Sequence, residues 1–324
     1  MRMGQDNNSQ ITLSAPAKDG RVMRWFNVRG WSDLTIATPY VWLLFFFLIP
    51  FLIVVAMSFA TRTPTSPPFS FGETGSLLDL RNFARLFQDD LYIRALITSV
   101  KNAAMATVLC LLVGYPMALA LTRVSSSARN ILLMLVILPF WTSFLLRVYA
   151  WMGLMGTNSW FNKLLTAAYN SMAPEDWAVR SIQLMNTNFA VVLVTVYSYL
   201  PFMILPLYAN LEKLDLTLNE AAMDLGSRPF RVFLDVTLPL SVPGIIAGGL
   251  LVFIPACGEL IIPGLVGNPS QPMIGRVISD EFASARDWPM AAAVAVALLV
   301  LMVGPMMLYA HYEAKAQEKK AMEP

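Results

Sequence analysis

Hydrophobic and polar residues in this chain separate into long blocks. Apolar runs occupy residues 39–60, 96–122, 131–154, 187–210, 243–264 and 289–310, with polar or mixed segments between them. A helix rises about 1.5 Å per residue, so each run is long enough to cross roughly 30 Å of hydrocarbon. Membrane strands would leave short segments of alternating polarity instead. The pattern predicts an all-α integral membrane protein with six transmembrane helices. Residues 39–312 form the spanning domain, 1–38 an N-terminal tail and 313–324 a C-terminal tail.

Composition supports this reading. Of the 324 residues, 56% are hydrophobic and 14% charged, against roughly 25% charged in soluble domains. The net charge of +2 and the lack of a basic stripe exclude nucleic acid as a partner and leave membrane lipid as the surroundings. Arg21, Arg24 and Arg29 before the first run, and Ser58-Phe59-Ala60 after it, resemble a signal peptide with its cleavage site. That run, however, outlasts the roughly 7–15-residue apolar core of a signal peptide, so a retained first span is expected. Cys110 and Cys257 fall inside spans and read as packing residues rather than a disulfide or a metal site. His311, the only histidine, falls at a span end and reads as interfacial.

Basic residues set the orientation. The N-terminal tail, the segments 123–130 and 211–242 and the C-terminal tail together carry thirteen, and the alternate segments carry eight. The positive-inside rule therefore places both termini in the cytoplasm. The first outer segment is rich in Pro, Ser and Gly, then becomes amphipathic. Leu80, Phe83, Leu86 and Phe87 recur at helical spacing and predict a short interfacial helix. Trp31, Tyr40, Trp42, Trp151, Trp288, Tyr309 and Tyr312 lie near span ends, where an aromatic belt sits.

One charged segment interrupts this pattern: "NEAAMDLGSRPFRVFLDVTLPL", residues 219–240. Thr217 followed by Glu220 reads as a capping box. Leu218, Ala221, Ala222 and Leu225 line one helical face. Gly226 stands where a C-cap needs positive φ, and Pro229 suits the first turn of a second short helix. A helix–turn–helix on the cytoplasmic side is expected, with two alanines flanked by charges as a close-approach surface. An ordinary connecting loop would rarely combine these signals.

This segment resembles the cytoplasmic loop of permease subunits of binding-protein-dependent ABC importers. The family pattern is Glu-Ala-Ala, three residues, Gly, nine residues, Ile, one residue, Leu-Pro. Here it reads Glu220-Ala221-Ala222, Gly226, Val236 and Leu238-Pro239, with Val in place of Ile. Stretches such as "RNILLMLVILPFWTSFLLRVYAWMGLM" and "GGLLVFIPACGELIIPGLVG" are similar to the polyamine branch, which transports putrescine or spermidine and putrescine. The tail 1–30 matches least.

The resemblance implies a type I ABC importer permease fold in the bacterial inner membrane, with a coupling helix that docks into a separate ATPase. Glu220, Ala221, Ala222, Asp224, Gly226 and Arg228 are the implied coupling residues. The implied partners are an ATPase dimer, a second homologous permease forming a heterodimer, and a periplasmic polyamine-binding protein. The chain lacks G-x-x-x-x-G-K-[ST] and any nucleophile–base or metal cluster, so it reads as a transporter subunit and not an enzyme. No cofactor is expected on it; ATP and Mg belong to the partner.

A polyamine calls for carboxylates and aromatic faces. Glu259, in "PACGELIIP", is the clear carboxylate within a span, and intramembrane carboxylates are costly and usually functional. Pro255, Gly258 and Pro263 should interrupt the helix around it and free carbonyl oxygens. Glu259 reads either as a substrate contact or as a structural partner of Arg147. Tyr149, Tyr197 and Tyr199 are candidate pathway aromatics, with packing or belt roles as the alternative. Asp280 and Glu281, with Asp287 beside them, either receive substrate or the binding protein or form a solvated face. Two rival functions are a permease for another small solute (iron, sulfate, phosphate or glycine betaine) and a secondary transporter driven by an ion gradient. Paired intramembrane carboxylates or internal halves would mark the latter. A channel or purely structural role leaves the charged loop unexplained.

Overall fold

The computed structural model describes residues 31–72, 79–215 and 217–322. The basic cluster of the N-terminal tail, residues 1–30, lies outside the described residues. The chain divides into two units, 1–53 and 54–324. Helix α1 (Ala37–Met57) is apolar on every side, with residues 37–50 all exposed. An all-round apolar surface suits contact with lipid rather than a face buried in protein.

In the second unit, β1 (Thr61–Arg62) and β2 (Phe69–Ser70) form an antiparallel hairpin with Thr61 opposite Ser70, a feature the Pro-rich sequence did not announce. The expected amphipathic helix follows as α2 (Arg81–Gln88), with Leu86 buried and Phe87 exposed. Helix α3 (Asp90–Arg123) begins six residues before the apolar run. Asp89 caps it by accepting from the Leu91 amide at 2.9 Å, so the polar first turn is still helical.

The apolar run 131–154 is not one straight span. It forms α4 (Ser126–Trp141) and α5 (Phe144–Met155), bent by 90°. Thr142 and Ser143 are extended at the break, where the Pro139 carbonyl accepts from both the Thr142 amide (3.3 Å) and the Thr142 hydroxyl (2.8 Å). A broken backbone at membrane depth requires such local satisfaction, which the hydropathy of the run does not reveal.

Helix α6 (Trp160–Met172) lies in the next connection and α7 (Asn188–Leu211) is the following span, capped by Thr187. The charged segment contributes α8 (Thr217–Asp224). Helix α9 (Pro229–Cys257) then runs straight into the membrane stretch, followed by α10 (Ile261–Val266), α11 (Ile274–Ala283) and α12 (Trp288–Met322). Among the described residues four helices are long and apolar enough to cross a membrane, or five when α4 and α5 count as one span. The sixth apolar run lies in α12, whose residues Trp288–Gly304 form an apolar helix.

Helices α3, α7 and α9 enclose the main core around Cys110, Ala118, Met203, Ile204, Leu207 and Val252. A Cβ on Gly248 would lie 2.9 Å from Met203 Sδ and 3.1 Å from the Met203 carbonyl, so only glycine lets α9 approach α7 this closely. Both cysteines are buried and unpaired, as packing residues would be.

Candidate functional site

Two regions carry the candidate residues: the loop between α7 and α9, and the turn after α9. In the first, Asp215, not Thr217, caps α8. Its carboxylate accepts from the Thr217 amide at 3.0 Å, and the hydrogen bonds from Thr217 hold its pKa below the usual carboxylate value. Thr217 is already helical, which corrects the capping-box expectation. Thr217 stands inside the helix rather than at its N-cap, and the acid two residues upstream holds the Thr217 amide.

The C-cap forms as read. Gly226 has φ +86°, its amide donates to the Met223 carbonyl at 2.9 Å, and the Ser227 amide donates to Ala222 at 3.1 Å. This pair of bonds is a Schellman closure. Arg228 is the N-cap residue of α9 and Pro229 its first residue. The second helix is therefore not a separate short element. A π-helical turn at Phe233–Thr237 joins it to the span. Pro239 cannot donate to Asp235, and a widened turn is one way a helix absorbs a missing donor.

The α8 face stays uncovered. Leu225 is 88% exposed, Phe230 71%, Leu218 49% and Met223 43%. Glu220, Ala221 and Asp224 are also exposed, and Ala222 is half-buried. Arg228 and Arg231 line a cleft of about 550 Å³ with Leu225, Gly226 and Ser227. The base of the loop, in contrast, is anchored. Thr237 bonds Asn219 at 3.3 Å, Phe233 meets Tyr115 of α3 edge-on at 5.6 Å, the Tyr115 and Ser241 hydroxyls lie 2.9 Å apart, and Arg129 of α4 pairs with Glu212 at 2.8 Å. An apolar patch on a small charged helix, braced to three long helices, can receive a partner and pass its motion to the bundle. The sequence displayed the patch but not the braces, whose partners lie far apart along the chain.

In the second region α9 ends at Cys257, as Pro255 and Gly258 foretold. Glu259 is 8% exposed. Its Oε2 accepts from the Tyr199 hydroxyl at 2.5 Å, and its Oε1 accepts from the amides of Ile261 (3.0 Å) and Ile262 (3.4 Å). The carboxylate thus caps α10. A Cβ on Gly275 would fall 2.4 Å from the Gly258 carbonyl oxygen and 2.8 Å from that of Glu259, so α11 begins in direct backbone contact with this turn.

Arg147 is not the partner of Glu259. Its guanidinium lies 5.5 Å from the rings of both Phe140 and Phe144, and its Nε and Nη1 are buried without a hydrogen-bond partner among the described residues. Tyr199 lies 5.9 Å from Phe202, which lies 5.0 Å from Phe140. Aromatic rings therefore link the carboxylate to the guanidinium. The three candidate tyrosines do not converge. Tyr199 holds Glu259, Tyr197 packs on Trp151 at 5.5 Å, and Tyr149 lines a separate cavity with Arg276 and Asp280.

The acids near α11 also diverge. Asp280 is exposed beside Arg276. Glu281 accepts from the Tyr92 hydroxyl at 2.7 Å and is committed to packing α11 on α3. Asp287 is only 3% exposed, facing Arg85 at 3.2 Å and Arg62 at 3.9 Å and capping α12 through the Met290 amide. The solvated-face alternative therefore fails for Asp287, which clamps the hairpin and α2 to the start of α12.

Residues 110–317 match the family model described as binding-protein-dependent transport system inner membrane component. The chain is 40% identical over 292 residues to the spermidine/putrescine transport system permease protein PotB of Haemophilus influenzae, covering 90% of this chain and 96% of that protein. It is 38% identical over 288 residues to PotB of Escherichia coli K12, covering 89% and 99%. Among solved structures, a bacterial ABC transporter that imports the acidic polysaccharide alginate matches with a TM-score of 0.61 at 18% identity, over 88% of this chain and 96% of that one. At that identity the likeness concerns the fold.

Proposed function

The chain belongs to the family of binding-protein-dependent transport system inner membrane components, and we propose that it is the subunit through which polyamines, putrescine or spermidine, cross the inner membrane. It is a multi-pass permease subunit rather than an enzyme. Its transport depends on an ATPase and a periplasmic binding protein. The second permease is a different, homologous chain.

The observation that carries the polyamine reading is the similarity to two spermidine/putrescine permeases across nearly the full length of each. The chemistry of the site agrees with it. Glu259 and Tyr199 put a carboxylate and a phenol side by side in a spanning region, and a row of aromatic rings leads away from them. Ammonium groups bind carboxylates by charge and ring faces by cation–π attraction.

Coupling runs through α8. The excess of basic residues places the loop 211–242 and both termini in the cytoplasm, and the hairpin with α11 at the periplasmic side. ATP binding closes the ATPase pair, and the exposed Leu225 and Phe230 with the Ala221–Ala222 surface ride in its cleft. The braces at Thr237, Phe233 and Arg129 pass that displacement to α9, α3 and α4. ATP biases the two states because α8 contacts the motor differently in each. Six spans and two cytoplasmic termini complete the scheme, with the last run in α12.

The test is radiolabelled uptake by the complete transporter with its ATPase, second permease and receptor, competed by putrescine, spermidine and cadaverine. Uptake that needs all partners and is blocked by a polyamine supports the reading. Import of another solute that polyamines do not compete would overturn it.

A further inference from the structure

Beside α10 lies a cavity of about 320 Å³ bounded by Leu145 and Tyr149 of α5, Ile261 and Gly264 of α10, and Arg276 and Asp280 of α11. Three helices, α5 and the consecutive pair α10 and α11, each bring one group suited to an ammonium ion. Asp280 supplies a carboxylate, Gly264 a carbonyl oxygen, and Tyr149, 52% exposed, an aromatic ring. An alkylammonium has three N–H donors and no acceptor, and its charge is attracted to a ring face.

The cavity already contains a cation belonging to the protein. Arg276 Nε is 3.6 Å from Asp280 Oδ2, and its Nη1 donates to the Gly264 carbonyl at 3.4 Å. Charge-assisted bonds of this kind normally measure about 2.7–2.9 Å. The guanidinium therefore bridges both acceptors while gripping neither.

We propose that this cavity is an ammonium-receiving subsite at the periplasmic mouth, and that Arg276 is its resident cation, displaced when one end of a polyamine arrives. This rests on the polyamine reading above. The exchange replaces one cation by another, so Asp280 keeps a counter-charge throughout. It also releases the Gly264 carbonyl, which sits on the same short helix whose first amides are held by Glu259. Because α11 abuts the Glu259 turn at Gly275, capture at Asp280 reaches that turn through two routes, α10 and α11. The subsite thus hands its cargo toward the Glu259–Tyr199 pair as it loosens the segment between them.

The test uses the complete transporter in proteoliposomes with saturating loaded receptor and radiolabelled putrescine or spermidine. Asp280→Asn and Tyr149→Ala are expected to slow import by about tenfold, the scale of a lost charged contact, and Asp280→Glu to recover most of it. Asp176→Asn, at an exposed acid in another loop, serves as the unaffected control. Arg276→Gln decides between roles. A subsite keeps or gains import when its competitor is removed, whereas a structural ion pair loses as much from Arg276→Gln as from Asp280→Asn. Equal loss in those two variants, or wild-type import by both Asp280→Asn and Tyr149→Ala, overturns the subsite alone. A wild-type transporter that imports no polyamine overturns the functional reading and the subsite together.

Discussion

The Tyr199 hydroxyl donates to Glu259 Oε2 at 2.5 Å across 60 residues of sequence, joining span α7 to the turn that ends span α9. Through its other oxygen the same carboxylate holds the first two amides of α10. A single buried acid therefore fixes where one helix stops, where the next starts, and how both face a neighbouring span.

Two substitutions separate the structural and transport roles of this acid. Glu259→Gln keeps an acceptor for the α10 amides but removes the charge, and it is expected to lower polyamine uptake at limiting substrate while the transporter still assembles. Tyr199→Phe leaves the carboxylate one donor short, at a cost of about 1–3 kcal/mol, read as a lower thermal-inactivation temperature in detergent. Unchanged uptake by Glu259→Gln would leave Glu259 as a helix cap alone.

Gly226 sits at φ +86° with open space where a Cβ would stand, so substitution there is governed by backbone strain, not by a clash. Gly226→Ala is expected to cost about 1–2 kcal/mol, and Gly226→Asn less. Gly226→Pro, which also removes the amide that donates to Met223, should abolish transport with membrane insertion intact. Immunoblots of membranes alongside uptake assays check this.

The α8 surface is exposed on this chain, so damage to it should spare the fold and break the complex. Leu225→Asp and Ala222→Trp are expected to leave the purified chain monodisperse while co-purification of the ATPase falls at least about tenfold, since removing or overfilling a central anchor commonly costs 2 kcal/mol or more. Retention of the ATPase by both variants would remove α8 as the docking element.

Asp215 tests the cap. Its pKa is lower in the fold than in the unfolded chain because it accepts from Thr217. Its contribution to α8 is therefore present above the ordinary carboxylate range near pH 4 and lost as pH falls through the depressed folded value. Amide exchange across residues 217–224 should quicken in Asp215→Ala at neutral pH. Expressed as protection factors, which remove the intrinsic pH dependence of exchange, the parent chain should lose this contribution only below about pH 4, and Asp215→Ala should show no such loss.

Much of this architecture was legible in the sequence because its causes are local. Gly226 and Pro229 punctuate a helix pair through φ alone, and Pro255 with Gly258 ends α9 wherever it is placed. The apolar runs report hydrocarbon thickness whatever their neighbours. The same locality misled at Thr217, where a capping pattern looked complete but the helix already includes Thr217 and Asp215 holds its amide, and at 131–154, where uniform hydropathy hid a right-angle break made by Thr142, Ser143 and Pro139. Arg147 and Glu259, opposite charges within two apolar runs, suggested a pair. The fold gives one a tyrosine and two amides, and the other two phenyl rings.

The sequence by itself determined that the chain belongs in a membrane, which segments are apolar enough for hydrocarbon, and that one charged loop carries a capped helix with a small-residue face. These follow from transfer free energy and backbone preference, which each segment carries with it. Only the tertiary structure decided the partners of the polar groups it covers: Tyr199 for Glu259, Arg62 and Arg85 for Asp287, and Tyr92 for Glu281. A hydrogen bond or ion pair depends on distances of a few ångströms between groups that here stand 60 residues apart for Tyr199 and Glu259 and 202 for Arg85 and Asp287, and helix packing, not spacing along the chain, sets those distances.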